Sequence, residues 1–370
     1  MCGISAIASH QPVSTKLLES LKNLEYRGYD SCGMALATDN QLVIRKNVGS
    51  VNEVDSIEHF EEMTGELGIA HTRWATHGGV TSENSHPHFS NDKQFVIVHN
   101  GIFSNYHTIQ RELKDKGYNF LSQTDTEVFS NLLQDEFSKV DSVEDAFCNA
   151  LDRLEGSFAI AMITTHHRDT VYAARKDSPL VVGVDDGTNY ISSDMNAFIS
   201  ETRDTILLDD YEYVMMTNES CEIKRLSDRK PVSKQVISIQ WDKATAQKGG
   251  FSHYMLKEIF DQPQTVRTTL AISETEIETI AEKCLSKKQT FCVGVGTTYY
   301  VAMVGTYLFS KFAGIYAPSV SADEYPSLVP VNKDHHVLFL SQSGETYDTR
   351  MAIRAAKENN AATSAIVNVV

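Results

Sequence analysis

The chain has 370 residues, 41% of them hydrophobic and 22% charged, with a formal net charge of −16. That length exceeds the roughly 250–300 residues at which one hydrophobic core stops growing, so two domains are expected. The acidic balance, with no dense run of Lys and Arg, argues against nucleic acid or an anionic membrane as a partner; no apolar stretch has the length of a membrane span, and no signal-peptide pattern opens the chain.

The chain begins "MCGISAIA", with a cysteine directly behind the initiator methionine. Removal of Met1 would leave thiol and α-amine on one residue. An α-amine with a pKa of about 7.7–8.0 can take up the thiol proton near neutral pH, so Cys2 is a candidate nucleophile that carries its own base. The alternative is a small buried hydrophobe near a terminus. The other cysteines (Cys32, Cys148, Cys221, Cys284, Cys292) show no CxxC pairing and read as reduced thiols of a cytoplasmic protein.

"STKLLESLKNLEY" repeats apolar residues at intervals of three and four, which predicts an amphipathic helix. "QLVIRKNVG", "QFVIVHNGIF", "GSFAIAMITT", "TVYAARK" and "SPLVVGV" are strand-length and rich in Val and Ile. "TDTEVFSNLLQDEFSK" and "SVEDAFCNALDRLEG" read as helices between them. Strands on both sides of helices, without βαβ alternation, predict stacked antiparallel sheets with helices outside.

Three stretches of this half carry candidate chemistry. "GIAHTRWATHGG" (68–79) holds Arg73, whose planar fork suits a carboxylate, and Trp74, one of two tryptophans. His71, His77, His86, His88 and His99 fit no standard zinc spacing, so no metal and no other cofactor is expected. "VIVHNGIFSN" (96–105) breaks at Asn100-Gly101, a turn signal that also offers a side-chain amide beside an unobstructed backbone N–H, the donors of an oxyanion hole. "SQTDTEVF" places Asp125 just before a helix, where Ser122 and Thr124 are equally good caps.

Around "QWDKATAQKGGFSHYM" the pattern lapses into polar residues and a Gly-Gly pair, as in a linker. Beyond it helix and strand alternate strictly, predicting a doubly wound parallel sheet. The sequence ends inside a strand-like run, "ATSAIVNVV", and is expected to be cut short. In "FLSQSGETYDT" a strand runs through Ser341, Gln342, Ser343 and Thr346 into a helix, an arrangement that can ring a phosphate at the helix N-terminus. "VGVGTTYY" repeats it with Thr297 and Thr298. The P-loop lysine and GxGxxG are absent, which disfavours nucleoside triphosphate and NAD.

Taken together, "MCGI", "LEYRGYDS", "HTRWATHG", "NSHPH", "HNGI" and "TDTE" resemble the N-terminal-nucleophile glutamine amidotransferase domain. The resemblance implies a four-layer αββα domain over 1–240, with Cys2 as nucleophile, its α-amine as base, and Asn100 with the Gly101 N–H as oxyanion hole. It further implies that Arg73 binds the α-carboxylate of glutamine and Asp125 its α-ammonium, that Thr76 and His77 line the pocket with Arg27 close by, and that Trp74 gates an ammonia channel. The second half resembles part of the sugar isomerase (SIS) domain, over 264–370. Its Thr297, Thr298, Ser341, Gln342, Ser343 and Thr346 would grip a phosphosugar.

The intervening 241–263, with "KGGFSHYMLKEIFDQP", resembles the interdomain segment of the glutamine–fructose-6-phosphate aminotransferase family. That implies L-glutamine as donor and fructose 6-phosphate as acceptor, giving glucosamine 6-phosphate and glutamate, and a homodimer in the full-length form. The family's ring-opening and isomerising groups lie in a second SIS repeat and a tail. These 370 residues are therefore expected to perform the glutaminase half-reaction alone. A glutaminase with another acceptor is disfavoured by "SQSGET"; a non-enzymatic phosphosugar sensor would have no use for Cys2, Arg73, Asn100 and Asp125.

Overall fold

The computed structural model describes residues 2–38, 41–75, 78–239, 251, 254–344 and 346–368. Two compact units divide the chain, Met1–Gly249 and Gly250–Val370. The first runs β1 (Gly3–Ser9), α1 (Ser14–Leu24), β2 (Ser31–Ala37), β3 (Leu42–Val48), α2 (Val51–Glu58), β4 (Leu67–Arg73), β5 (His88–Phe89), β6 (Phe95–Phe103) and α3 (Tyr106–Asp115). It continues through α4 (Asp125–Phe137), α5 (Val143–Asp152), β7 (Gly156–Thr164), β8 (Val171–Lys176), β9 (Val181–Asp185), β10 (Thr188–Ser192), β11 (Asp204–Leu207), β12 (Glu212–Met216), β13 (Cys221–Arg225) and β14 (Ile237–Ser238).

These strands form an eight-stranded sheet, ordered β14-β11-β9-β10-β1-β4-β2-β3, and a six-stranded sheet, ordered β13-β12-β8-β7-β6-β5. Alternation along each strand divides its side chains between two cores. Ile4, Ala6 and Ala8 of β1 meet Val96 and Val98 of β6 and Ala159 and Ala161 of β7 between the sheets. Ile7 points the other way, into a cluster with Leu17, Leu18 and Leu21 of α1 and Val54 of α2. Phe95 and Ile97 of β6 pack outward on Leu113, Val128, Phe129 and Phe147 from α3, α4 and α5. Helix, sheet, sheet and helix make four layers, and because both faces of each sheet are covered, the central strands read as continuous apolar runs rather than alternating ones.

The site lies where strands of both sheets begin or end together. Cys2 immediately precedes β1, whose Gly3 pairs with Thr72 of β4, so Cys2 falls beside the Arg73 end of that strand. Asn100 and Gly101 stand near the C-terminal end of β6, opposite Ala159 and Phe158 of β7.

The second unit runs α6 (Tyr254–Thr269), α7 (Glu274–Ser286), β15 (Gln289–Gly294), α8 (Thr297–Leu308), β16 (Ser319–Ser321), α9 (Tyr325–Leu328), β17 (His335–Ser341), α10 (Tyr347–Glu358) and β18 (Ala362–Val367). Of the expected linker, 241–250 and 252–253 lie outside the described residues, whereas 254–263 belong to α6, a helix with Pro263 inside it. Four parallel strands are ordered β16-β15-β17-β18. Ala302 of α8 packs on Cys292, Leu338 and Leu340, while Ala352 and Ala356 of α10 pack with Val293, Val337 and Phe339. Alternate residues of the same strands serve the two clusters, so helices cover both faces and the sheet is doubly wound. The order of strand addition reverses between β15 and β17, since β16 lies on one side of β15 and β17 on the other, a switch point at which loops from neighbouring strands open a crevice.

Candidate active site

The Cys2 thiol is held against the backbone of Trp74: its Sγ lies 3.3 Å from the Trp74 N–H, which donates to it, and 3.5 Å from the Trp74 carbonyl. Burial pushes the thiol pKa up. The Trp74 N–H and the charges of Arg73 and Arg27 draw it part of the way back. The resting group is therefore a thiol, and its attack on a carbonyl needs a base to remove the proton.

The Cys2 carbonyl is gripped from two sides, by Asn100 Nδ2 at 3.0 Å and by Arg27 Nε at 3.2 Å. Arg27, expected beside the pocket, thus holds the backbone of the candidate nucleophile, and its Nη1 pairs with Asp194 at 3.0 Å. A carboxamide nitrogen carries two hydrogens, so Asn100 keeps one beyond that given to Cys2. At Gly101 the backbone turns to φ +127°, and a Cβ there would stand 2.1 Å from the Ser157 carbonyl of the neighbouring strand. Both facts demand glycine.

Arg73 is buried, donates from Nη1 to the Gly79 carbonyl at 3.2 Å, and lies within the field of the Asp30 and Asp125 carboxylates. Gly79 is tied in turn: Asn84 Nδ2 donates to its carbonyl at 3.0 Å, and its N–H donates to Gln123 Oε1 at 3.2 Å. Asp125 is buried at the first turn of α4, where its Oδ2 accepts the Phe103 N–H at 2.9 Å. Trp74 is 47% exposed and meets Tyr29 edge-on. Thr76 and His77, expected to line the pocket, lie outside the described residues.

Four of the histidines in the sequence are buried together. His71 stacks on His86 with ring centres 4.1 Å apart, and His88 meets His86 edge-on. Thr126 Oγ1 lies 3.1 Å from His99 Nδ1 and 3.3 Å from His86 Nε2, while Thr124 Oγ1 lies 3.2 Å from His88 Nε2. Burial lowers the pKa of all four, so they are neutral. Among the described residues no group of His, Cys, Asp and Glu could hold a metal ion. Spacing in the sequence gave no sign of this packing, nor of Asp194, which acts on Arg27 from 167 positions away.

In the second unit, Thr297 and Thr298 open α8 at the end of β15, and Ser341, Gln342, Ser343 and Thr346 follow or close β17 before α10. Since β15 and β17 are parallel neighbours, both groups lie at the C-terminal end of the sheet, beside the switch point. Two hydroxyls shape the loops. Thr298 Oγ1 accepts the Val295 N–H at 3.0 Å and donates to the Val295 carbonyl at 2.8 Å, and Ser341 Oγ accepts the Gly344 N–H at 3.0 Å.

Comparison with known proteins agrees with this division. Residues 71–200 match the family described as the glutamine amidotransferase domain, and residues 284–370 match the SIS domain. Over its whole length the chain is 37% identical to glutamine–fructose-6-phosphate aminotransferase [isomerizing] of Methanococcus maripaludis and 39% identical to that of Aquifex aeolicus. It covers 63% and 62% of those proteins, so it spans about three-fifths of the curated relatives it matches. Among solved structures, glutamine phosphoribosylpyrophosphate amidotransferase of Bacillus subtilis aligns with 99% of this chain and 81% of its own, with a TM-score of 0.55 at 18% identity, a likeness of fold.

Fold and matches define a chain in which a stretch matching the glutamine amidotransferase domain is followed by one matching the SIS domain. More particularly, it is similar along its whole length to the glutamine–fructose-6-phosphate aminotransferases named above.

Proposed function

We propose that the chain hydrolyses L-glutamine at Cys2 to glutamate, and that in the full-length form the ammonia serves to aminate fructose 6-phosphate, giving glucosamine 6-phosphate; these 370 residues alone carry the glutaminase half-reaction. The observation that carries this reading is the Cys2 thiol within the field of the buried Arg73, on a residue whose carbonyl accepts from an Asn100 amide with a spare N–H. Cys2 Sγ attacks the γ-carbonyl carbon of glutamine and passes its proton to its own α-amine once Met1 is removed. The oxyanion is met by Asn100 Nδ2 and the Gly101 N–H. The ammonium then protonates the leaving nitrogen, ammonia departs, and water hydrolyses the γ-glutamyl thioester. Arg73 and Asp125 bind the two charged ends of the amino acid, Thr76 and His77 line its pocket, and Trp74 gates the ammonia path.

Thr297, Thr298, Ser341, Gln342, Ser343 and Thr346 hold the sugar phosphate, with the first turns of α8 and α10 supplying backbone N–H groups. The full-length form is a cytoplasmic homodimer. Exposed Tyr300, Val301, Val304, Tyr307 and Phe312 form an apolar surface on α8 and just after it that supports such an association. The test is to incubate the chain, its N-terminus verified by intact mass, with glutamine and fructose 6-phosphate and to measure glutamate and amino sugar separately. Glutamate formation that survives Cys2→Ala overturns the reading.

A further inference from the structure

His71 is wholly buried on β4, and the hydrolysis proposed above makes no direct use of it. Its Nε2 lies 2.9 Å from Asn100 Oδ1 and 3.1 Å from the His99 carbonyl. The orientation of the Asn100 amide follows from its other end, because the nitrogen must donate to the Cys2 carbonyl. Both partners of His71 Nε2 are thus acceptors, and Nε2 must carry the ring proton. Nδ1 keeps a lone pair that is buried and has no hydrogen-bond partner among the described residues, and His86 stacks on the ring. A second proton would have to sit on Nδ1 with nothing to receive it. Burial together with the charge of Arg73 pulls the pKa down to about 3, even against the two bonds at Nε2. The imidazole therefore stays neutral, in one tautomer, with its one N–H directed at Asn100.

We propose that His71 is a positioning residue for glutamine hydrolysis: its Nε2–H fixes the Asn100 carboxamide with oxygen inward and nitrogen toward Cys2, so that the second N–H of that nitrogen faces the developing oxyanion. Rotation of the amide would present an oxygen there, and the hole would repel the charge it has to bind. The inference rests on the hydrolysis at Cys2 but adds a residue that touches neither substrate nor nucleophile.

The experiment uses the whole chain and three variants. His71→Phe keeps a ring against His86 without a donor. His71→Gln restores an N–H near the position of Nε2. His71→Asn keeps an amide too short to reach Asn100. His71→Phe and His71→Asn are expected to lower kcat about 10–100-fold, part of the cost of an oxyanion donor, with KM for glutamine within about twofold and the shape of the pH profile unchanged. His71→Gln is expected to recover most of the rate. Glutamate γ-semialdehyde, which adds to a thiol as a tetrahedral adduct, should lose affinity by the same factor as kcat, since it places its oxygen in the hole. His71→Phe combined with Asn100→Ala should be no slower than Asn100→Ala alone. Wild-type kcat in the His71→Phe and His71→Asn variants, or losses that multiply in the double variant, would overturn the inference. Those outcomes leave Cys2 chemistry standing, whereas hydrolysis by Cys2→Ala removes the parent reading itself.

Discussion

Burial raises the pKa of the Cys2 thiol against the ionisation that the proposed attack needs, and the Trp74 N–H with Arg73 and Arg27 offsets it only in part. Asn100→Ala should lower kcat about 10²–10³-fold, the usual cost of one oxyanion donor, with little change in KM. A steady-state assay that found only KM altered would remove that role. Gly101→Ala should abolish activity and lower Tm, because φ +127° and a carbonyl 2.1 Å from the new Cβ both oppose a side chain. Thermal melting of the variant checks this, and an unchanged Tm would mean the strand can shift. Cys2, Arg73, Asn100 and Asp125 were legible as residue types in suggestive settings. Arg27 was named, yet its grip on the Cys2 carbonyl was not, because that contact exists only after two distant segments meet.

At the scale of elements, the ends of β4 and β6 and the start of α4 enclose neutral histidines. His71, His86, His88 and His99 all refuse a proton in the folded chain that an unfolded chain accepts near 6.5. The unfolded state then binds more protons, so stability is full above pH 6.5 and is lost as pH falls from there toward the depressed folded values. Each such ring costs about 1.4 kcal/mol per pH unit in that window. Urea titrations of the chain at pH 7.5, 6, 5 and 4 should show a steepening loss, and a flat profile would mean the rings take up protons without unfolding. In the second unit Thr298→Val should loosen the turn at Val295 and weaken binding of inorganic phosphate, whereas Thr297→Val should affect phosphate alone. Equal melting temperatures for the two variants would contradict that distinction. Strands and long helices were readable from apolar periodicity. The helix over 254–269 was not expected, because the polar run and the Gly-Gly pair before it read as a linker reaching to 263.

For the whole molecule, the residues proposed to bind glutamine and those proposed to grip phosphate belong to different units. Cys2→Ala should therefore abolish glutamine hydrolysis while leaving the affinity for fructose 6-phosphate as it was. Calorimetric titration of the sugar phosphate decides this, and a parallel loss of both would mean that one chemistry depends on the other. The chain spans 62–63% of the first curated relatives, and it is expected to release glutamate and ammonia without forming amino sugar. Stoichiometric glucosamine 6-phosphate from these 370 residues would show that the described SIS loops supply more than a phosphate grip.

The sequence by itself determined what depends on local chemistry: a thiol that can share a residue with an amine, an Asn-Gly pair at a strand end, an arginine fork suited to a carboxylate, hydroxyls before helices, and a change from stacked sheets to βα alternation. These follow from short windows, since periodicity and turn chemistry act over a few residues. Tertiary structure alone decided how those groups are held. The Trp74 backbone on Cys2 Sγ spans 72 positions, and the Asn100 bond to the Cys2 carbonyl spans 98. Orientation of an amide, the tautomer of a ring and the neutrality of a histidine cluster depend on which atoms become neighbours after burial. No local pattern in the chain encodes that.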